Sequence, residues 1–150
     1  MKNIFSAIAA VAAVSASAAF ADSEITLTDA RAFTAPKTAM AAGAFVTITN
    51  AGSTDDRLVA VQADFPRAEI HTTVFEDDIA KMMHIDGIDI PAGETVMLKP
   101  GELHIMFMGL NGDPLEEGET VEAILVFEQA GELPVTFAVV PRPAMHMANH

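Results

Sequence analysis

The sequence contains no cysteine, and this absence excludes several kinds of site. A disulfide framework, a thiolate zinc site, an iron–sulfur cluster and a blue-copper centre all need cysteine sulfur. A cysteine nucleophile is excluded for the same reason. The remaining sulfur belongs to methionine, of which the chain has nine. Thioethers are therefore the only soft sulfur donors that this protein can offer to a metal.

Basic residues are also scarce. The chain has 8 Lys and Arg against 21 Asp and Glu, which gives a formal net charge of −13. Such a chain repels nucleic acid and anionic lipid, and it attracts cations and basic partner surfaces. The sequence also lacks a nucleophile–base arrangement, a phosphate-binding glycine loop and a dinucleotide fingerprint. We therefore expect neither nucleic-acid binding nor enzymatic activity.

The first 21 residues have the pattern of a secretory signal peptide. A short basic start, Met1-Lys2-Asn3, precedes an apolar run that ends in Ala19-Phe20-Ala21, a small-x-small cleavage site. An N-terminal membrane anchor is the alternative, but the run is rich in Ala and Ser and slightly short for a span. We predict cleavage before Asp22 and export to the periplasm, with no membrane span in the mature protein. Loss of Lys2 moves the formal charge to −14.

After the signal, short apolar and β-branched segments alternate with turn residues. The turns recur about every 8–12 residues, and no long helical periodicity or linker interrupts them. The predicted strands are 23–28 (continued by 31–33 after a kink), 44–49, 57–61, 67–73, 79–84, 94–98, 102–108, 120–128 and 133–140. The pattern predicts one all-β domain over residues 22–140, an antiparallel β-sandwich or barrel large enough to bury a core.

Two histidines and two methionines could meet at one point of this domain: His71, Met82, His104 and Met106. His104 and Met106 are two apart on a predicted strand, so they project from the same face, about 6.5–7 Å apart along the chain. Alone, such a pair more often reflects packing than metal binding. A hairpin-like excursion between His71 and Met82 could return the chain to the same edge. Neutral imidazoles and thioethers suit Cu(I) better than Mg²⁺, Ca²⁺ or Mn²⁺, and Zn²⁺ is usually held by Cys, His or carboxylate.

The spacing His-x10-Met-x21-His-x-Met resembles that of the periplasmic copper A chaperone family, PCuAC. Further segments similar to that family are 44–52, 90–93, 98–101 and 104–110. The resemblance covers most of the mature domain and implies a cupredoxin-like Greek-key β-sandwich that binds Cu(I) through the four residues. It also implies that copper is supplied to the CuA centre of cytochrome c oxidase subunit II, directly or through a Sco-type thiol protein.

Five further residues could contribute to the site or pack elsewhere. Met83 should point away from Met82, and we interpret it, like Met97, as a core residue. His84 returns to the Met82 face as a spare ligand or a solvated histidine. Met108 shares the Met106 face and either pads the site or packs in the core. Met40, in a loop, could cover the metal.

The C-terminal residues 141–150 form a predicted flexible tail, because Pro141 and Pro143 argue against another paired strand. The tail carries a candidate second copper site, made of Met145, His146, Met147 and His150. Its histidines could take Cu(II) and its methionines Cu(I). The alternative is an inert extension.

Three functions fit these observations. The first is a copper carrier, expected to be a monomer, that serves respiratory-oxidase assembly. The second is a copper buffer that protects the cell envelope. The third is a metal-free β-sandwich that acts as an interaction module.

The acidic segment Glu76-Asp77-Asp78 lacks the oxygen-ligand pattern of an EF-hand, so we predict a solvated turn there.

Overall fold

The computed structural model describes residues 23–142. The predicted signal peptide and all four metal-binding candidates of the tail lie outside this range. Within it, every regular element is a β-strand, as predicted. The strands are β1 (Ile25–Phe33), β2 (Ala41–Asn50), β3 (Asp56–Ala63), β4 (Arg67–Glu76), β5 (Ile79–His84), β6 (Ile88–Ile90), β7 (Thr95–Met97), β8 (His104–Met108), β9 (Thr120–Phe127) and β10 (Gly131–Val140). None of the described residues forms a helix able to cross a membrane.

The strands form one continuous hydrogen-bonded sheet. Its order is β5-β4-β8-β2-β1-β10-β9-β3-β6, and β7 pairs with β2 beside this path. All pairs are antiparallel except β1 with β10, which are parallel. The predicted antiparallel fold therefore contains one parallel pair. These two strands come from opposite ends of the domain, so no hairpin turn forces them to run in opposite directions.

The first strand contains the predicted kink. Its register against β2 shifts between Thr28 and Arg31, and Asp29 has a φ of 52°. Aspartate tolerates this left-handed conformation better than most residues, and an extra residue in one strand is accommodated as a β-bulge. The bulge keeps both halves of β1 paired with β2.

Strand β8 carries core residues on one face and candidate site residues on the other. Ile105 and Phe107 are completely buried, and the Phe107 ring packs against Phe65 at 4.9 Å and against Phe137 at 5.7 Å between centroids. Because side chains alternate along a strand, His104 and Met106 lie on the other face. The hydrophobic core thus fixes the position of the strand that carries both residues.

The β4–β5 hairpin turns through Asp77 and Asp78, whose φ values are 50° and 63°. Two consecutive positive φ values are typical of a type I′ turn, which matches the twist of the flanking strands. The segment is exposed, so the predicted solvated turn is confirmed. Strand β5 lies at the end of the sheet, and all six of its residues are exposed.

Two predictions failed at peripheral strands, and one short strand was not predicted. Met83 and Met97 are 52% and 55% exposed, so their assignment to the core was wrong. Met83 lies on the edge strand β5, and Met97 lies on β7, which has three residues and pairs only with β2. Strand β6 was missed, because three residues are too few to show alternation.

Candidate metal centre

Three histidines lie in a row across β5, β4 and β8. In the register of the sheet, His71 is opposite His104 on β8 and opposite His84 on β5. Directly opposed residues of antiparallel strands share a face of the sheet. The ring centroids of His71 and His104 are 5.8 Å apart, and those of His71 and His84 are 5.9 Å apart.

The two methionines lie on the same face as the histidines. Met106 follows His104 by two residues on β8, and Met82 precedes His84 by two on β5, where it is opposite Thr73. The alternation of side chains gives all four the same orientation. The fold therefore brings His71, Met82, His104 and Met106 to one face of three neighbouring strands, and the hairpin predicted between His71 and Met82 is present.

A cavity of about 460 Å³ opens on this face. Three of the four residues line it: Met82, His104 and Met106. His71 lies beside the cavity, next to His104. The other lining residues are Phe33, Ala41, Gly43, Phe45, Thr73, Pro100, Gly101 and Arg142. Most of these present apolar atoms, and an apolar surround limits the access of water to a bound ion.

His104 has one ring nitrogen committed and one available. Its Nδ1 lies 2.9 Å from the backbone oxygen of Glu102. A carbonyl only accepts, so Nδ1 carries the hydrogen, and the lone pair of the neutral ring is on Nε2. That Nε2 is buried and has no hydrogen-bond partner. Burial lowers the pKa of His104, with a smaller contribution from nearby His71, against the opposing effect of the Glu102 hydrogen bond. A neutral imidazole with a free lone pair is the form that binds metals.

His71 has the opposite arrangement. Its Nε2 lies 2.8 Å from Oε2 of Glu69, and this hydrogen bond lowers the pKa of the Glu69 carboxyl. An ionised carboxylate can only accept, so Nε2 donates and the lone pair of the neutral ring is on Nδ1. This Nδ1 is buried and also lacks a partner. A buried polar atom without a partner costs about 1–3 kcal/mol, and a metal ion would satisfy both nitrogens.

The donors present favour a soft ion. Within residues 23–142, no group of three or more His, Asp or Glu side chains is arranged to hold a metal. The two thioethers on the same face are the further donors that could complete a metal site with the histidine pair. Thioether and imidazole donors fit Cu(I). Met82 is 62% exposed, so one edge of the donor set faces solvent.

The remaining sequence candidates take other positions. His84 is exposed and lies beside His71 on the same face. The sulfur of Met108 is 3.3 Å from an Arg67 nitrogen. Met40 is 66% exposed. None of the three lines the cavity. No described residue tests the second copper site proposed for the tail.

Sequence reasoning missed two residues near the site. Glu69 holds His71, and its position two residues earlier on the same strand was the signal that could have revealed it. Arg142 lines the cavity, and its guanidinium lies 5.9 Å from the centroid of Phe33. No sequence pattern indicates this contact, because the two residues are far apart in the chain.

Solved structures share this fold. The apo PCuAC domain of PmoF1 has a TM-score of 0.66 and 25% identity, over 79% of this chain and 94% of that domain. Apo-DR1885 from Deinococcus radiodurans has a TM-score of 0.61 and 27% identity, over 95% of each chain. The Cu(I) form of DR1885 has a TM-score of 0.60 and 28% identity, over 78% of this chain and 80% of that one. The predicted cupredoxin-like fold is confirmed.

Similarity in sequence defines the family. Lxx21020 of Leifsonia xyli subsp. xyli, whose name classes it as a lipoprotein, is 36% identical over 98 residues, which are 64% of this chain. The match spans 58% of that relative's length. The model of the LpqE-like family matches residues 25–139, from the start of β1 almost to the end of β10. The chain therefore belongs to the LpqE-like lipoprotein family.

Proposed function

We propose that this protein is a copper chaperone that carries Cu(I) as cargo on His71, Met82, His104 and Met106. One observation carries the proposal. Two adjacent buried imidazoles each have a ring nitrogen without a partner, and two thioethers lie on the same face. The Cu(I) form of DR1885, which shares the fold at 28% identity, supports the same cargo here.

The donor set suits a carrier that must both hold and release its ion. All four donors are neutral, so bound Cu(I) keeps its single positive charge. The thioethers favour the reduced, soft ion, and the imidazoles add affinity and fix geometry. Thiolates of a recipient are stronger soft ligands and can displace these donors stepwise. The exposed Met82 is the donor that a recipient reaches first.

The setting of the carrier is an exported one. The predicted signal peptide and the membership of a lipoprotein family both support export, and we place the protein in the periplasm. The recipient we propose is the CuA centre of cytochrome c oxidase subunit II, or a Sco-type thiol protein that serves it. A copper buffer would use the same site. Oxidase activity in a deletion strain at low copper separates the two, since only loss of a carrier should lower it.

A metal-free interaction module is the weaker alternative. Such a module gains nothing from two buried imidazole nitrogens without hydrogen bonds, each of which destabilises the fold. The same atoms become favourable when an ion binds them.

Competition with a coloured Cu(I) chelator tests the site. We expect one Cu(I) per chain and a loss of affinity of about tenfold or more in Met106→Ala. Met97→Ala is the matched control, because Met97 is an exposed methionine on a different strand, and its affinity should equal that of the wild type. Unchanged affinity in Met106→Ala would remove Met106 from the site. Failure of the wild type to compete would refute the proposal.

The tail requires its own experiment. Arg142 lines the cavity, so the truncation should follow Arg142 and leave the primary site intact. If Met145, His146, Met147 and His150 bind Cu(II), the truncated protein loses one Cu(II) equivalent and keeps its Cu(I). Retention of every Cu(II) equivalent would make the tail inert.

Transfer is tested by mixing the Cu(I)-loaded protein with an apo CuA fragment of the oxidase. We expect the copper to move to the fragment, since its thiolates bind Cu(I) more tightly than thioethers do. Copper that stays on the chaperone over hours would favour the buffer.

A further inference from the structure

Three charged or titratable residues alternate along β4 and face the same side: Arg67, Glu69 and His71. The two carboxylate oxygens of Glu69 have different partners. Oε2 lies 2.8 Å from Nε2 of His71, and Oε1 lies 3.3 Å from Nε of Arg67. The carboxylate is therefore fixed in orientation from both ends. Glu69 is also directly opposite Met106 in the sheet register.

This arrangement decides which nitrogen of His71 is free. Because Glu69 accepts the hydrogen on Nε2, the lone pair of the neutral ring is confined to Nδ1, the atom found buried without a partner. His104 is held in the other tautomer by the Glu102 carbonyl. The two adjacent rings thus offer different atoms, Nδ1 of His71 and Nε2 of His104.

We propose that Glu69 is the positioning residue that makes Nδ1 the copper-binding nitrogen of His71, and that Arg67 orients Glu69 for this role. Carboxylates that hold a metal-binding histidine fix its tautomer and raise its basicity. The copper part of this inference rests on the proposed function. The tautomer part concerns the metal-free protein and is tested separately.

The contact of Arg67 with Glu69 leads to an unusual expectation for the isosteric variant Glu69→Gln. Arg67 can only donate, so it should attract the single amide oxygen of the glutamine. The NH₂ group would then face Nε2 of His71 and donate to it, which moves the ring hydrogen to Nδ1. The isosteric variant should therefore block the copper-binding nitrogen, whereas Glu69→Ala only releases the ring.

The first measurement uses the metal-free full chain, labelled with ¹⁵N, and long-range ¹H–¹⁵N correlations of the histidine rings. We expect the hydrogen on Nε2 in His71 and on Nδ1 in His104. In Glu69→Gln the His71 hydrogen should move to Nδ1, and adding Arg67→Ala should reverse part of this change. A wild-type His71 protonated at Nδ1, or a Glu69→Gln variant that keeps the hydrogen on Nε2, would overturn the proposal.

The second measurement is Cu(I) affinity by chelator competition. Glu69→Gln should lower the Cu(I) affinity by about 10–100-fold. Glu69→Ala should lower it less, and Glu69→Asp should keep most of the wild-type affinity. A purely structural role would give the opposite order for Gln and Ala. Glu76→Gln is the matched control, since it removes the same charge at an exposed position of the same strand, and its affinity should not change.

The two measurements separate the two proposals. If the wild type binds no Cu(I), the chaperone proposal fails, and the ring tautomers still confirm or refute the effect of Glu69 on His71. If Glu69→Gln moves the hydrogen and yet binds Cu(I) like the wild type, His71 does not bind through Nδ1 and this inference is wrong.

Discussion

Asp56 provides a test of the fold that is independent of copper. Its side chain is only 4% exposed, yet it accepts hydrogen bonds from four donors. Oδ1 accepts from the backbone nitrogens of Arg57 and Gln129, and Oδ2 accepts from the Ser23 hydroxyl and the backbone nitrogen of Ala130. One carboxylate thus joins the start of β3, the β9–β10 turn and the segment before β1.

The size of the effect follows from these bonds. Asp56→Ala leaves four donors without their acceptor. Each lost hydrogen bond costs about 1 kcal/mol, and less where water can replace the acceptor. We therefore expect the free energy of unfolding to fall by about 3 kcal/mol. Asp56→Asn keeps an oxygen for Arg57 and Gln129, but its NH₂ opposes the Ala130 N–H. We expect that variant to lose about half as much. For a domain of this size the alanine variant should melt roughly 10 °C lower.

The effect should also depend on pH in a defined direction. Burial by itself would raise the pKa of Asp56, but the hydrogen bonds outweigh it and leave the pKa below its ordinary value of 3.8. A carboxyl with a lowered folded-state pKa stabilises the fold above its unfolded pKa, and this contribution is lost as the pH falls through the folded value. The difference between wild type and Asp56→Asn should therefore be largest near neutral pH and shrink below pH 3.8.

Urea unfolding followed by circular dichroism at several pH values measures both quantities. Cu(I) affinity serves as the control. Ser23, a contact of Asp56, precedes β1, whereas Phe33 at the other end of β1 lines the cavity, so copper binding by the folded variants should not change. An alanine variant as stable as the wild type, or a stability difference that does not depend on pH, would refute this account of Asp56.

Two further substitutions test the packing. Gly109 has a φ of +83°, and a Cβ there would lie 2.7 Å from Cγ of Pro66, whereas Gly112, at +88°, has nothing within 4 Å. Gly112→Ala should therefore lower the free energy of unfolding by about 1 kcal/mol, the cost of the left-handed backbone conformation alone. Gly109→Ala should lower it by about 1–3 kcal/mol more, because the new Cβ also clashes with Pro66. Equal losses of stability in urea unfolding would exclude the clash. Asn50 is fully buried and donates to the backbone oxygens of Thr54 and Ile90. Asn50→Asp should lower the free energy of unfolding by about 3 kcal/mol at neutral pH, because the ionised carboxylate cannot donate to these oxygens. The loss should be smaller at acidic pH, where the protonated carboxyl regains a donor. Unchanged stability would contradict this role of Asn50.

The strands were predictable because their signals are local. Alternation and turn residues located nine of the ten strands of the described domain, and the kink in β1 was expected between residues 28 and 31. The neighbours in the sheet were not predictable in the same way. Alternation tells which face a residue takes, but it does not tell whether anything packs on that face. Met83 and Met97 were assigned to the core for this reason, and both are exposed.

The candidate site divides in the same way. The strand period was enough to place His104 and Met106 on one face, and a hairpin between His71 and Met82 was expected as a possible return to the same edge. The grouping of all four residues rested on the resemblance of their spacing to that of the PCuAC family. The hydrogen bonds that select Nδ1 in His71 and Nε2 in His104 depend on rotamers, which no spacing encodes. The cavity wall depends on Phe33 and Arg142, which meet only when β1 and the end of β10 lie side by side.

The edge position of β5 has a consequence for unloading. Met82 stands on a strand with a neighbour on one side only, while β4 and β8, which carry the two histidines and Met106, are interior strands. A hairpin at the border of a sheet can peel outward without disturbing the core. If the four residues hold Cu(I) as we propose, Met82 should detach first and leave the ion bound by three donors. An incoming thiolate can then take the fourth position before the copper is released.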